Sequence, residues 1–245
     1  MRKIHVILKK EDVDERYLDN KIAVVFDILL ATTTITTALE HGAREVIPVL
    51  DQSEAKEVIK AIPEGNGQLV GEDQGLTIEG FISPDPLALT GKISDKTMVL
   101  CTTNGTVALK KVLSAKSIYA ASLLNSVAVA RRLLDNCQDE TILLVCAGSS
   151  GEFCVEDFYG AGYFIECLIA QCKEEEWDLT DAALSAFHFA RGIGGQAAEI
   201  FHASRVGKML TSLGMRESID FAAKKDVCRI VPYIADRATL RIDEK

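Results

Sequence analysis

The sequence lacks any apolar run close to the ~20 residues that a membrane-spanning helix requires. It is also short of positive charge, because 27 Lys and Arg residues stand against 36 Asp and Glu, for a formal charge of −9 at pH 7. A net negative field disfavours non-specific binding to nucleic acid. An anionic ligand would need a metal ion or locally placed cations. We therefore predict no nucleic-acid partner and no membrane partner.

Recognisable cysteine and histidine ligand patterns are absent too. The seven cysteines show no CxxC spacing, and none of the four histidines stands at zinc-ligand spacing from a cysteine. This pattern predicts free thiols in a reducing, cytoplasmic environment. The first ten residues hold too few apolar side chains for a secretory signal and predict a strand instead.

Three familiar phosphate-handling motifs are missing. A cysteine phosphatase needs an Arg six positions after its thiolate, but Glu152 follows Cys146 at that spacing and Val107 follows Cys101. The chain has no Gly-Lys-Ser/Thr ending of a Walker loop and no Gly-rich dinucleotide fingerprint. These absences argue against a cysteine phosphatase and a nucleotide-binding enzyme.

What the sequence does contain is an alternation of buried strands and helical patterns. The largely apolar segments 22–26, 98–101 and 141–146 predict strands buried on both faces, each followed by a helix. We therefore predict an α/β fold with a layered, mostly parallel or mixed sheet flanked by helices. The chain 1–245 is interpreted as a single domain. A weak echo between 43–47 and 115–119, 72 positions apart, leaves two pseudo-repeated lobes open.

Four predicted strands end in small or polar residues, in the segments 27–34, 102–106, 122–125 and 146–150. Ligands of parallel sheets gather at the carboxyl ends of the strands, so these segments predict a shared pocket. The segment Thr102-Thr103-Asn104-Gly105-Thr106 joins a strand to a helix, where backbone N–H groups and hydroxyls can bind phosphate. An ordinary turn with Thr as helix cap is the alternative.

Carboxylates near these strand ends would repel a phosphate unless a cation intervenes. Asp27, Glu72, Glu156 and Asp157 are hard oxygen ligands of the kind that Mg²⁺ prefers. They favour metal-assisted phosphoryl transfer. The alternatives are satisfaction of Asp27 by helix amides and pairing of Glu156 and Asp157 with a helix dipole. Arg205 could reach an anion or lie solvated on the surface.

Several motifs together resemble the 2-phosphosulfolactate phosphatase family, often called ComB. They are VVFD at 24–27, ATTT at 31–34, TTNGT at 102–106, SLLN at 122–125, CAG at 146–148 and EDFYGAG at 156–162. The resemblance runs from the first strand to about Cys172 and more thinly to Pro232. It implies an α/β fold and Mg²⁺-dependent hydrolysis of 2-phosphosulfolactate to sulfolactate and phosphate. That reaction belongs to coenzyme M biosynthesis or to bacterial sulfolactate formation.

The resemblance carries over Asp27, Thr102 to Thr106, Asn125, Glu156 and Asp157; their individual roles are our own assignment. We assign catalysis to Asp27, Glu72 and Asn125. We assign the metal ion to Asp27, Glu156 and Asp157, with Asp27 as nucleophile left open. We assign the phosphate or substrate to hydroxyls, amides and small residues: Thr32, Thr33, Thr102, Thr103, Asn104, Gly105, Thr106, Ser122 and Gly148.

The chain departs from the family pattern where Arg is usual, with Leu30 and Asp73 in its place. The segment 80–87 also differs. Each lost charge-assisted hydrogen bond is worth ~1.5–3 kcal/mol, or about tenfold to a hundredfold in affinity.

The resemblance and these departures together predict a phosphoric monoester hydrolase acting on 2-phosphosulfolactate or a related phosphorylated hydroxy acid. A catalytically impaired relative that keeps an anion site as a binding protein is the alternative. A homodimer is the default assembly.

Overall fold

The computed structural model describes residues 2–137, 139–172, 177–236 and 239–243. The strands are β1 Arg2–Ile7, β2 Ile22–Phe26, β3 Glu45–Val49, β4 Gly67–Asp73, β5 Leu76–Thr77, β6 Thr97–Cys101, β7 Ser117–Ala120, β8 Ile142–Cys146, β9 Trp177–Leu179, β10 Pro232–Asp236 and β11 Thr239–Ile242. The helices are α1 Ala31–Glu40, α2 Gln52–Lys60, α3 Gly105–Lys111, α4 Ser126–Asn136, α5 Val155–Gln171, α6 Asp181–Ile193, α7 Ala197–Ala203, α8 Arg205–Ser212 and α9 Arg216–Ala222.

The strands form one mixed sheet in the order β5-β4-β6-β3-β11-β10-β7-β2-β8-β1-β9. Two parallel runs, β4-β6-β3 and β7-β2-β8-β1-β9, stand on either side of the antiparallel hairpin β10–β11. The predicted α/β class is confirmed. The bounds of the hairpin strands β10 and β11 were not predicted from the sequence.

Helix α1 lies inside the molecule although it is rich in threonine. Every residue from Ala31 to Leu39 is buried. The hydroxyls of Thr36 and Thr37 donate to the carbonyl oxygens of Thr32 and Thr33 four residues earlier, both at 2.8 Å. This backbone pairing satisfies the buried hydroxyls and allows a polar sequence to fill the core.

The sheet curves around α1 and brings distant strand ends together. Strands β6 and β2 are separated by four others, a distance of about 24 Å in a flat sheet. Nevertheless Gly105, four residues beyond β6, lies against Asp27 at the end of β2. Helix α1 contacts β3, β7, β10 and α3, so it packs against both parallel runs. The carboxyl ends of β2 and β6 consequently face the same space.

All seven cysteines are free, and six of them are buried. Among the residues that the structure describes, no helix is both long enough and apolar enough to cross a bilayer.

Candidate active site

A cavity of about 160 Å³ opens where the strand ends converge, and helix α8 covers its far side. Asp27 reaches it from the end of β2, Glu72 from β4, and Glu156 and Asp157 from the first turn of α5. The predicted residues that line it are Asp27, Glu72, Thr102, Thr103, Asn104, Gly148, Glu156 and Asp157. The structure thus brings groups from five chain segments to one site.

Asp157 ties two strand ends to the start of α5. Its Oδ1 accepts a hydrogen bond from the Ile28 N–H at 2.9 Å, and its Oδ2 accepts one from the Gly148 N–H at 3.0 Å. Ile28 follows Asp27 directly, and Gly148 follows β8, with a φ of 65° that favours glycine. The carboxylate is therefore held rigidly beside Asp27.

The loop 102–106 closes on itself and leaves no room for a side chain at its glycine. The Thr106 hydroxyl donates to the Thr102 carbonyl oxygen at 2.8 Å, and the Thr106 N–H donates to the Thr102 hydroxyl at 3.2 Å. A Cβ on Gly105 would lie 2.6 Å from Asp27 Oδ2 and 2.4 Å from the Ala31 Cβ. Glycine at 105 therefore permits the loop to reach Asp27.

Glu72 and Asn104 cross-link the loops around the cavity. Glu72 Oε1 accepts from the Thr103 N–H at 2.7 Å, and Oε2 accepts from the Thr103 hydroxyl at 3.1 Å and the Gly75 N–H at 2.6 Å. Asn104 Oδ1 accepts from Lys10 Nζ at 2.9 Å and from the Ser150 N–H at 3.2 Å. The Thr103 N–H, which we predicted from the sequence to bind phosphate, therefore donates to the Glu72 carboxylate instead.

Burial and mutual repulsion raise the carboxyl pKa values. Burial, then the charges of Glu72 and Glu156, raise the pKa of Asp27 to about 7, although Lys10 and the Ala31 N–H oppose the shift. Burial, then Asp27 and Glu156, raise the pKa of Asp157 well above its usual range. Burial also raises the pKa of Glu156, against hydrogen bonds and the charge of Arg205. The site carries more negative charge than its own cations neutralise.

This excess of negative charge suits a divalent cation that is coordinated partly by protein carboxylates and partly by oxygens of a bound phosphate. Across the described residues, no three His, Cys, Asp or Glu side chains stand close enough to hold one metal ion together. Mg²⁺ commonly uses one or two carboxylates and completes its shell with water and phosphate oxygens. One or two of Asp27, Glu156 and Asp157 would serve in that mode, because the three together do not form an all-protein cage.

Six predicted site residues are absent from the cavity wall. The Thr32 and Thr33 hydroxyls donate to the carbonyl oxygens of Asp27 and Ile28, at 2.9 and 2.8 Å. Gly105 and Thr106 lie directly behind the wall, in α3. Ser122 and Asn125 cap a 3₁₀ turn beyond β7, where Asn125 Oδ1 accepts from the Ser122 N–H at 2.9 Å. These hydrogen bonds to the main chain indicate positioning of backbone near the site.

Sequence reasoning missed most of the wall formed by α8 and the residues after it. Arg205, Val206, Met209, Leu210 and Met215 line the cavity there. Arg205 donates from Nη2 to the Ser149 carbonyl oxygen at 2.8 Å, which places its guanidinium at the rim. The only sequence signal was an amphipathic helix, whose apolar face is indistinguishable from an ordinary core face.

The departures from the family pattern occupy different places. Leu30 lines the cavity, together with Ser83 and Pro84 of the divergent 80–87 segment. Asp73 is exposed at the end of β4 and is not part of the wall. Only the first of the two positions is therefore placed to touch a ligand in this cavity.

The cysteines near the site are poor nucleophiles. Cys154 lines the cavity, but burial and then the charges of Asp157 and Glu156 raise the pKa of its thiol far above the usual range. Burial likewise raises the pKa of Cys146. Both side chains stay protonated at neutral pH, which agrees with the missing Arg of the cysteine-phosphatase loop.

Comparison with known proteins gives a consistent relationship over nearly the whole chain. The family model described as 2-phosphosulpholactate phosphatase matches residues 7–237. Proteins named probable 2-phosphosulfolactate phosphatase are similar in Clostridium novyi (36% identical), Clostridium acetobutylicum (37%) and Clostridium beijerinckii (38%). The matches cover 94%, 94% and 96% of this chain and 96%, 96% and 97% of those proteins. The chain therefore belongs to the 2-phosphosulpholactate phosphatase family.

Proposed function

We propose that this protein is a Mg²⁺-dependent phosphatase that hydrolyses the phosphate ester of a 2-hydroxy acid of the 2-phosphosulfolactate class. The observation that carries the proposal is the meeting of three buried carboxylates, Asp27, Glu156 and Asp157, in one small cavity. Family membership and the names of the relatives support the reaction class.

Some residues of the site would bind the cation and the substrate, and others hold the backbone of the site in place. One or two of the carboxylates Asp27, Glu156 and Asp157 would hold the Mg²⁺ ion together with water and phosphate oxygens. When bound, the ion would offset the phosphate charge and polarise its oxygens. Arg205 at the rim attracts an anionic group of the substrate. Glu72 fixes the 102–106 loop, and Asp157 fixes the ends of β2 and β8. Hydrolysis breaks the bond between phosphorus and the ester oxygen, water supplies the new oxygen, and the alcohol leaves protonated.

Replacement of Asp27 by Asn tests the proposal. We expect Asp27→Asn to remove Mg²⁺-dependent phosphate release from 2-phosphosulfolactate and related esters, because one cation-holding oxygen becomes an amide. The matched control is Asp178→Asn, an exposed position on the edge strand β9. Circular dichroism and thermal unfolding of both variants show whether the fold is retained.

Two outcomes would contradict the proposal. Unchanged turnover in a folded Asp27→Asn protein would remove Asp27 from the reaction. If the wild-type protein releases no phosphate from any such ester and calorimetry shows no Mg²⁺ binding, the chain is better described as a binding protein that has lost catalysis.

A further inference from the structure

The cavity wall combines two chemically different kinds of side chain. Beside its four carboxyl groups it contains the apolar side chains of Leu29, Leu30, Val206, Met209, Leu210 and Met215. Helix α8 supplies three of these apolar side chains. Six apolar side chains in one cavity suit a hydrocarbon group, and they donate no hydrogen bonds to a charged one.

Positive charge in the wall is scarce. Among the described lining residues, Arg205 is the one basic side chain, against four carboxyl groups. The nearby Lys9 and Lys10 do not line the cavity. Lys9 Nζ donates to the Gly151 carbonyl oxygen at 3.0 Å, and Lys10 Nζ pairs with Glu11 at 2.9 Å and donates to Asn104. One guanidinium can pair with one anionic group beyond the phosphate.

The ester 2-phosphosulfolactate carries three anionic groups: phosphate, carboxylate and sulfonate. The carboxylate cluster with a divalent cation can take the phosphate, and Arg205 can take the carboxylate. A sulfonate on the remaining carbon would then have no basic partner among the described lining residues, and desolvation of a charge without a partner is costly. The charge balance of the cavity therefore disfavours a third anionic group.

We propose, on the basis of the function proposed above, that the preferred substrate is a 2-hydroxy acid phosphate whose side chain is an uncharged alkyl group. Leu30, Met209, Leu210 and Met215 form the pocket for that alkyl group, and Arg205 pairs with the carboxylate. Met209 also closes the pocket against the β4–β5 turn, because a Cβ on Gly75 would lie 3.1 Å from the Met209 Cε.

The experiment compares two esters on the Mg²⁺-loaded protein: 2-phosphosulfolactate and the phosphate ester of 2-hydroxy-4-methylpentanoate. We expect kcat/KM to be at least about tenfold higher for the alkyl ester, since a single methylene in an apolar pocket is worth about tenfold or more. Met209→Lys places a cation in the alkyl pocket and should reverse the preference by at least about tenfold. Met209→Leu is the matched control and should retain it.

Binding of the two esters, measured by calorimetry in Ca²⁺ or Mg²⁺ with turnover monitored, separates this inference from the proposed function. If neither ester is hydrolysed but the alkyl ester binds more tightly, the alkyl pocket is supported and the phosphatase activity is not. If both are hydrolysed with equal efficiency, or the sulfonate ester is preferred, the alkyl pocket is refuted. Absence of both turnover and binding overturns both proposals.

Discussion

One hydroxyl, that of Thr32, fixes the backbone on which the acidic cluster depends. It accepts from the Asp27 N–H at 3.0 Å and donates to the Asp27 carbonyl oxygen at 2.9 Å. Thr32 is fully buried, so water cannot replace these bonds. Thr32 was predicted from the sequence to bind phosphate, but its hydroxyl is hydrogen-bonded to the Asp27 backbone behind the cavity wall.

Replacement of Thr32 by Val tests this positioning. The variant keeps the shape of the side chain but leaves the buried Asp27 N–H without that partner, at a cost of ~1–3 kcal/mol in the free energy of unfolding. We expect kcat to fall by about tenfold to a hundredfold because Asp27 shifts, with a smaller change in KM. Thr32→Ser retains the hydroxyl and should restore most of the activity.

The opposite pattern would favour direct phosphate binding by Thr32. In that case Thr32→Val would raise KM or the inhibition constant of orthophosphate, while kcat and the unfolding free energy would stay close to wild type. Denaturant titrations and steady-state kinetics on the three proteins distinguish the two roles.

At the scale of elements, α5 combines a reactive first turn with a packing surface. Glu156 and Asp157 face the cavity, and Gly160 and Gly162 follow on the next turn. A Cβ on Gly160 would lie 2.8 Å from the Ile28 side chain, and one on Gly162 would lie 2.1 Å from the Ala186 carbonyl oxygen of α6. The glycines thus let α5 approach β2 and α6 closely, and this approach places the two acids.

Alanine at 162 should therefore destabilise the protein even though alanine favours helices. We expect Gly162→Ala to lower the free energy of unfolding by ~1–3 kcal/mol, since α5 and α6 must separate. Gly192→Ala is the matched control, because Gly192 lies in α6 with open space at its Cβ position. It should be neutral or stabilising by up to ~1 kcal/mol. Equal effects in denaturant unfolding would show that close packing at 162 is not limiting.

Patterns within single elements carried the sequence prediction furthest. The segment 22–26 predicted β2 with its bounds, and the segment 141–146 predicted β8 with one extra residue at its start. Both succeed because five consecutive apolar residues suit a strand covered on both faces. The sequence also identified the carboxylates at strand and helix ends. It did not identify the cavity wall formed by α8, because long-range packing decides which apolar helix face lines a cavity. It did not identify the hairpin β10–β11 either, because long-range packing also decides which segment joins the sheet.

At the scale of the whole molecule, the acidic cluster links stability to pH. The pKa of Asp27 is about 7 when folded, against 3.8 for a free side chain, and those of Glu156 and Asp157 shift in the same direction. A carboxyl group that holds its proton more tightly in the folded state destabilises the protein as pH rises. Asp27 contributes no penalty below pH 3.8 and its full penalty above about pH 7.

We therefore expect the metal-free protein to lose stability between about pH 4 and 7 by a few kcal/mol. Mg²⁺ should restore stability at pH 8 far more than at pH 5, because it compensates ionised carboxylates. Asp27→Asn should be more stable than wild type at pH 8 without metal and should respond less to Mg²⁺. Thermal unfolding over this pH range, with and without Mg²⁺ at constant ionic strength, measures both effects.

A pH response that is identical in wild type and Asp27→Asn would contradict the assignment of this linkage to the cluster. The difference between the two proteins is the decisive quantity, because it removes the contributions of carboxylates elsewhere. Asp14, for example, has its pKa lowered to about 2 by the hydrogen bond from Arg16, so its ionisation stabilises the folded state as pH rises.

The place of the β10–β11 hairpin also bears on how the chain is made in the cell. Strand β3 pairs with β6 on one side and strand β7 pairs with β2, and among the described residues their other sides pair with the hairpin strands β11 and β10. During translation, both edges therefore stay open until residues 232–242 have left the ribosome. Exposed edges readily pair with other chains. Slow synthesis of residues 216–242 should thus increase aggregation of the nascent protein more than slow synthesis of α1.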